Sequence, residues 1–318
     1  MSTLADAAEV KVEAATAGGP RVDLGETRIL SRRAPSLWRS ALRTFTHDRV
    51  AMTALVIVVA VGIFILGAGV VSGWTGFTPY ENHLPEKLSQ PGENGYLLGS
   101  DANGRDILTR LAYGGRVSLT VALIATAVEL TIGLGVGLLS GYRGGWVDAV
   151  LMRLVDVMLS IPTLPLLILV ATLYTPGRYT LALIFAVIYW PGDSRLIRGQ
   201  TMALKGREYV EAARVVGNSP ARIVTRHILP NTLPVLIVLT SLTVPSLIIA
   251  ESTLSFLGIG VQVPTPSWGN MLDEAARLYR TNPWNVVYPG LIVFVTALSL
   301  YLVGDGLRDA FDPKRTER

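Results

Sequence analysis

Residues 207–230 read REYVEAARVVGNSPARIVTRHILP, from Arg207 to Pro230, a charged segment set between long apolar runs. It is too polar to cross a bilayer and too well punctuated to be a slack loop. Glu208, Glu211 and Arg214 interleave with Tyr209, Ala212, Ala213 and Val216, a helical spacing that separates a small-residue apolar stripe from a charged one. Gly217 and Asn218 then stop the helix, because glycine reaches left-handed backbone angles without a side-chain clash. Ser219 followed by Pro220 has the pattern of an N-cap and first helical position. The segment therefore predicts helix, glycine corner, helix, closed by Pro230, and forms a docking knob rather than a catalytic centre.

The composition around it suits a multi-spanning membrane protein. Half of the 318 residues are apolar and only 16% are charged, with a mean hydropathy of +0.44. The chain has no cysteine, which excludes disulfides, thiol catalysis and cysteine-ligated metals. His47, His83 and His227 stand in separate polar segments without ligand spacing, so an enzymatic or metal reading has little support. Lys11, Lys87, Lys205 and Lys314 follow Val, Glu, Leu and Pro, so none completes the Gly-Lys-Ser/Thr of a phosphate-binding loop. Net charge is +4, yet no stripe of Lys and Arg with aromatic platforms supports nucleic-acid binding.

Six apolar runs are expected to span the membrane: 50–71, 117–140, 157–174, 179–197, 228–250 and 283–304. The fourth is the doubtful one, since only 14 residues precede Asp193 and Arg195. Charge placement decides it. If 179–197 crosses, both termini and the 195–229 loop share one side holding twenty Lys and Arg residues, against seven opposite. The positive-inside rule makes the richer side cytosolic. Residues 1–36, rich in Ala, Gly and small polar residues, predict a disordered cytosolic tail with no signal-peptide core, and 37–49 an interfacial helix. Residues 72–116 and 251–283 are then outer loops.

The knob resembles the EAA loop of the membrane subunits of ATP-binding-cassette importers: Glu211-Ala212-Ala213, then Gly217, then Leu229-Pro230 at the family's spacing. The run Arg226-His227-Ile228-Leu229-Pro230-Asn231 is similar to the dipeptide, oligopeptide and nickel branch. Two outer segments, LGSDANGRDILTRLAYGGRVSL and Leu254-Ser255-Phe256-Leu257-Gly258 through Pro264-Thr265-Pro266-Ser267-Trp268-Gly269, resemble its C-type subunits. The resemblance implies an all-α membrane protein of six transmembrane helices with the type I importer permease fold. It further implies no cofactor in this chain, ATP and Mg being bound by two cytosolic ATPase subunits, together with a homologous second permease subunit and an external solute-binding protein. Glu211 would be the polar contact to the ATPase, Ala212 and Ala213 would allow close approach, and Gly217 would set the corner. A self-sufficient proton-coupled carrier using Glu129, Asp156 or Asp193 is the alternative.

Other features give further expectations. Asp101, Asn103 and Asp106 lack the fifth and sixth positions of a calcium loop, so Asn103 or Asp101 is expected to cap a helix through Tyr113. Gly133, Gly137 and Gly141 recur every four residues as a ridge for close helix packing within the subunit. Glu129 is expected to face water or a partner. Arg153 and Asp156 are spaced to pair with each other, and Met271–Tyr279 reads as a short amphipathic helix.

Overall fold

The computed structural model describes residues 37–174 and 176–311. The chain divides into two units at the Arg39–Ser40 junction, and the architecture below is that of the second. The expected tail, 1–36, lies outside the described residues, as do 312–318. Helix α1 (Leu37–His47) carries the junction and falls within residues 37–49, where a helix is expected.

Asp48 separates α1 from α2 (Arg49–Leu66), its side chain accepting from the Val50 and Ala51 amides at 2.9 and 3.1 Å. Helix α3 (Ala68–Thr75) follows, and then an outer segment with one 3₁₀ turn at Leu84–Glu86. The expected helix over 105–113 and the second span are one 37-residue helix, α4 (Ile107–Arg143). Its cap is Asp106, which accepts from the Thr109 amide at 2.7 Å. Asp101 instead bonds the amides of Asn103 and Arg105 and takes the Arg105 and Arg110 guanidiniums, which is why it does not start the helix.

Among the described residues five helices are long and apolar enough to cross a membrane, and there is a sixth span if one bent pair counts as a single crossing. The broken one is the third span, not the fourth. Helices α5 (Gly145–Ser160) and α6 (Thr163–Leu173) meet at 84° around Ile161-Pro162. A proline following an extended residue there denies the helix its continuation. The fourth, α7 (Arg178–Lys205), is 28 residues long and runs through Pro191, Asp193 and Arg195 without stopping. Helices α8 (Glu208–Val215) and α9 (Pro220–Ile223) form the knob, and α10 (Leu229–Phe256), α11 (Trp268–Ala276) and α12 (Trp284–Phe311) complete the order. Helix α11 starts three residues earlier than expected, because Ser267 and Asn270 cap each other's backbone reciprocally.

The core is a three-helix contact of α4 (Val121, Ala122, Ala125), α7 (Leu181, Ala182, Phe185) and α10 (Val244, Leu247, Ile248). Below it the glycine ridge seats α7 directly, within the subunit as expected. A methyl group at Gly137 would stand 2.8 Å from Ile197 Cβ and from the Ser194 carbonyl, and one at Gly141 would stand 2.8 Å from Thr201 Cβ. Glu129, one turn before Gly133, does not face water. It is 3% exposed, and its carboxyl meets that of Asp193 on α7. Asp156 pairs not with Arg153 but with Arg195 of α7.

The end of the bundle opposite the hairpin is fastened by charge. Arg105 and Arg110 both reach Glu274 of α11 at 2.6 Å while also holding Asp101. Trp268 is wholly buried and donates its indole N–H to the Leu111 carbonyl at 2.9 Å. Tyr96 donates to Glu86 at 2.9 Å, and its burial together with that carboxylate pushes the phenol above its usual range.

Candidate functional site

Helix α8 is preceded by Arg207 at its N-cap, whose carbonyl accepts from the Val210 and Glu211 amides at 2.9 and 3.1 Å. Glu208 and Glu211 lie in its first turn and Arg214 in its last, the arrangement that the helix dipole favours. The end is a Schellman motif. The Gly217 amide donates to Arg214 O at 3.0 Å and the Asn218 amide to Ala213 O at 3.1 Å, with Gly217 at φ +85°. The Asn218 side chain donates to the same Ala213 carbonyl at 3.0 Å. Ser219 then caps α9, and Pro220 occupies its first position.

Pro230 does not close the hairpin. Residues Val224–Ile228 form a single π-helical stretch that feeds directly into α10, with Pro230 in the first turn of that helix. The π-helical stretch just before it already departs from the regular i to i−4 ladder to which a proline cannot donate, so the chain passes through Pro230 without ending. Residues 220–256 thus form one continuous helical run.

The two arms close on a small core of Val210, Ala213, Ile223 and Ile228, which rests on Leu138 and Tyr142 of α4 and Leu204 of α7. Ala213 is 8% exposed and belongs to that core, whereas Glu211 and Ala212 face solvent. Leu229 is half-buried and Pro230 exposed. The six residues singled out from the sequence are therefore brought to one hairpin but divide by role: Glu211 and Ala212 outward, Ala213 inward, Gly217 at the corner, Leu229 and Pro230 at the entry to α10.

The sequence pattern missed the tip. Val215 and Val216 are 87% and 82% exposed, next to the glycine corner and at the end of the helix that carries the exposed Glu208, Glu211 and Arg214. Two adjacent valines at the end of a charged helix, immediately before a glycine stop, were the available signal. An apolar tip with a charged rim on a hairpin seated on two spans is suited to docking in a partner's cleft and contains no constellation for bond-making chemistry.

Residues 133–317, more than half of the chain, match the family model of the binding-protein-dependent transport system inner membrane component. The chain belongs to that family. Residues 36–91 of this permease match the N-terminal transmembrane domain of oligopeptide transport permease C. The permease is 41% identical over 280 residues to the oligopeptide transport system permease protein OppC of Escherichia coli K12, covering 88% of this chain and 92% of that protein. It is 33% identical to the oligopeptide transport system permease protein OppC of Bacillus subtilis (91% and 94% covered) and 38% identical to the dipeptide transport system permease protein DppC of Haemophilus influenzae (85% and 92%). The fold of the permease is shared with the MetNI methionine ABC transporter in an inward-facing conformation, at TM-score 0.52 and 19% identity, over 64% of this chain and 96% of that one. These relatives support a permease component of a binding-protein-dependent importer over a self-sufficient carrier.

Proposed function

We propose that this permease forms half of the pathway of an ATP-driven importer for peptides, and that the 207–230 hairpin is its attachment to a cytosolic ATPase. The hairpin's geometry supports this reading: an exposed apolar tip in a charged rim, standing on the ends of α4 and α7. Glu211 is the polar contact, Ala212 leaves room for close approach, and Gly217 aims the tip. Ala213, Leu229 and Pro230 serve the attachment indirectly, by holding the hairpin together and joining it to α10.

A homologous second permease subunit supplies the other half of the pathway, two ATPase subunits bind ATP and Mg, and a solute-binding protein delivers the peptide at the opposite face. Both termini and the hairpin lie on the cytosolic side, where the basic residues are concentrated. Closure of the ATPases moves the hairpins and rocks the bundle between its two open states. The peptide specificity follows the oligopeptide and dipeptide permeases that the chain matches over most of its length.

The test is reconstitution with the partner subunits in vesicles. ATP-dependent uptake of labelled di- and oligopeptides is expected, and it is lost when Val215 and Val216 are both replaced by Glu. Uptake by the purified chain alone on a proton gradient would sink the proposal.

A further inference from the structure

Three basic residues on the last three turns of α7 reach away from it. Arg198 makes a two-pronged bond to Asp148 of α5 at 2.5 and 2.6 Å, and Arg195 takes Asp156 of the same helix. Lys205, the last residue of α7, donates to the carbonyl of Tyr142 at the end of α4 at 2.6 Å, and its ammonium lies 5.6 Å from the Tyr142 ring centre. That carbonyl belongs to the last turn of α4 and so has no partner within its own helix. Tyr142 and Leu204 in turn form the floor under the hairpin.

These contacts and the glycine ridge lock α4 and α7 together over their lower halves, and they lock the hairpin to both. The connection to α10 is different in kind. It is the π-helical stretch 224–228, a wider and less regular turn of the sort found where helices change direction or function, with Pro230 and Pro234 just beyond it.

We infer that Lys205, Arg198 and Asp148 are positioning residues that make α4, α5 and α7 follow the hairpin as one body, with residues 224–228 as the joint about which α10 moves relative to them. The inference rests on the reading of the hairpin as the ATPase attachment, and it adds which spans receive the motion first. Neither the glycine ridge nor the hairpin tip is altered by removing these charges.

The chain's lack of cysteine allows spin labels at introduced pairs without background. Arg222→Cys with Leu139→Cys reports hairpin against α4, and Arg222→Cys with Thr240→Cys reports hairpin against α10; all three sites are exposed. In the full complex, ATP is expected to leave the first distance fixed and to shift the second. A shifted first distance, or an unmoved second one during active uptake, overturns the inference. In the isolated chain in nanodiscs the first distance is expected to be narrowly distributed and to broaden in Lys205→Met, but not in Lys205→Arg. An unbroadened Lys205→Met overturns the inference even if no ATPase binds, a result that would count separately against the attachment itself. In the reconstituted importer, Lys205→Met and Asp148→Asn are expected to lower uptake per ATP hydrolysed by about fivefold or more, with Lys205→Arg restoring it; an unchanged ratio overturns the role assigned to them.

Discussion

Gly217 shows how much one backbone angle can decide. Its φ of +85° is what lets the Asn218 amide turn back onto Ala213, and no neighbouring atom lies within 4 Å of where a side chain would begin. The cost of a substitution is therefore conformational rather than steric: Gly217→Ala is expected to weaken the hairpin by about 1–2 kcal/mol, seen as faster amide exchange at Val216–Asn218. Gly217→Pro, which fixes φ near −65°, is expected to abolish the corner and with it ATP-driven uptake, while membrane insertion persists. Normal uptake by Gly217→Pro would show that the corner does not aim the docking tip. Ala213→Leu is expected to cost about 1–3 kcal/mol by overfilling the core of Val210, Ile223 and Ile228, and exchange in both arms reads it. The corner was legible in the sequence because Gly217, Ser219 and Pro220 each answer a demand made by their own backbone. The direction of Ala213 was not, since it is set by Leu138, Tyr142 and Leu204, residues distant in sequence that the pattern of one short helix does not reveal.

Among elements, the same division separates what a local pattern specifies from what a neighbour imposes. The glycine ridge was readable as a close-packing surface, and α7 fills it. Gly137→Leu is expected to destabilise the bundle by about 1–3 kcal/mol or more, since its Cβ already meets Ile197 and a backbone carbonyl. Gly135→Leu, where nothing lies within 4 Å, serves as the control, and an equal loss of thermal stability in both would mean that the ridge does not hold α7. Length misjudged the third and fourth spans in opposite directions. Helix α7 continues past Asp193 and Arg195 because each side chain finds a partner, the Asp193 carboxyl in a hydrogen bond with that of Glu129 and Arg195 in an ion pair with Asp156. The third run is continuous in composition but bent at Ile161-Pro162, a break that apolarity alone conceals. Pro230 misled for the converse reason: it stands inside a continuous helical run, directly after the π-helical stretch 224–228, whose wider turn accommodates a proline that would otherwise end the helix.

At the scale of the whole molecule, charge fastens both ends of the bundle. Arg110 is 1% exposed and is shared between Asp101 and Glu274, which join the outer segment before α4 to α11. Arg110→Met leaves those two acids only Arg105, and a loss of about 3–5 kcal/mol is expected because a buried charge is left short of its partner. Thermal unfolding of the detergent-solubilised chain measures it, and a change under 1 kcal/mol would mean that water reaches the cluster freely. The basic residues at the opposite end are the ground on which an orientation is predicted. With the bent pair counted as one crossing, an even number of crossings puts the hairpin on the same side as α1, and the excess of Lys and Arg there predicts that side to be cytosolic. Single cysteines at Val216 and at Leu84, both largely exposed, distinguish the possibilities in a chain that has none of its own. A membrane-impermeant maleimide added to intact cells is expected to label Leu84→Cys and spare Val216→Cys, with inverted vesicles giving the reverse. Labelling of Val216→Cys in intact cells would put the hairpin beyond any cytosolic ATPase. The bent third span would then have to be a re-entrant loop, because removing that one crossing is the change that carries the hairpin to the other face while leaving α1 in place.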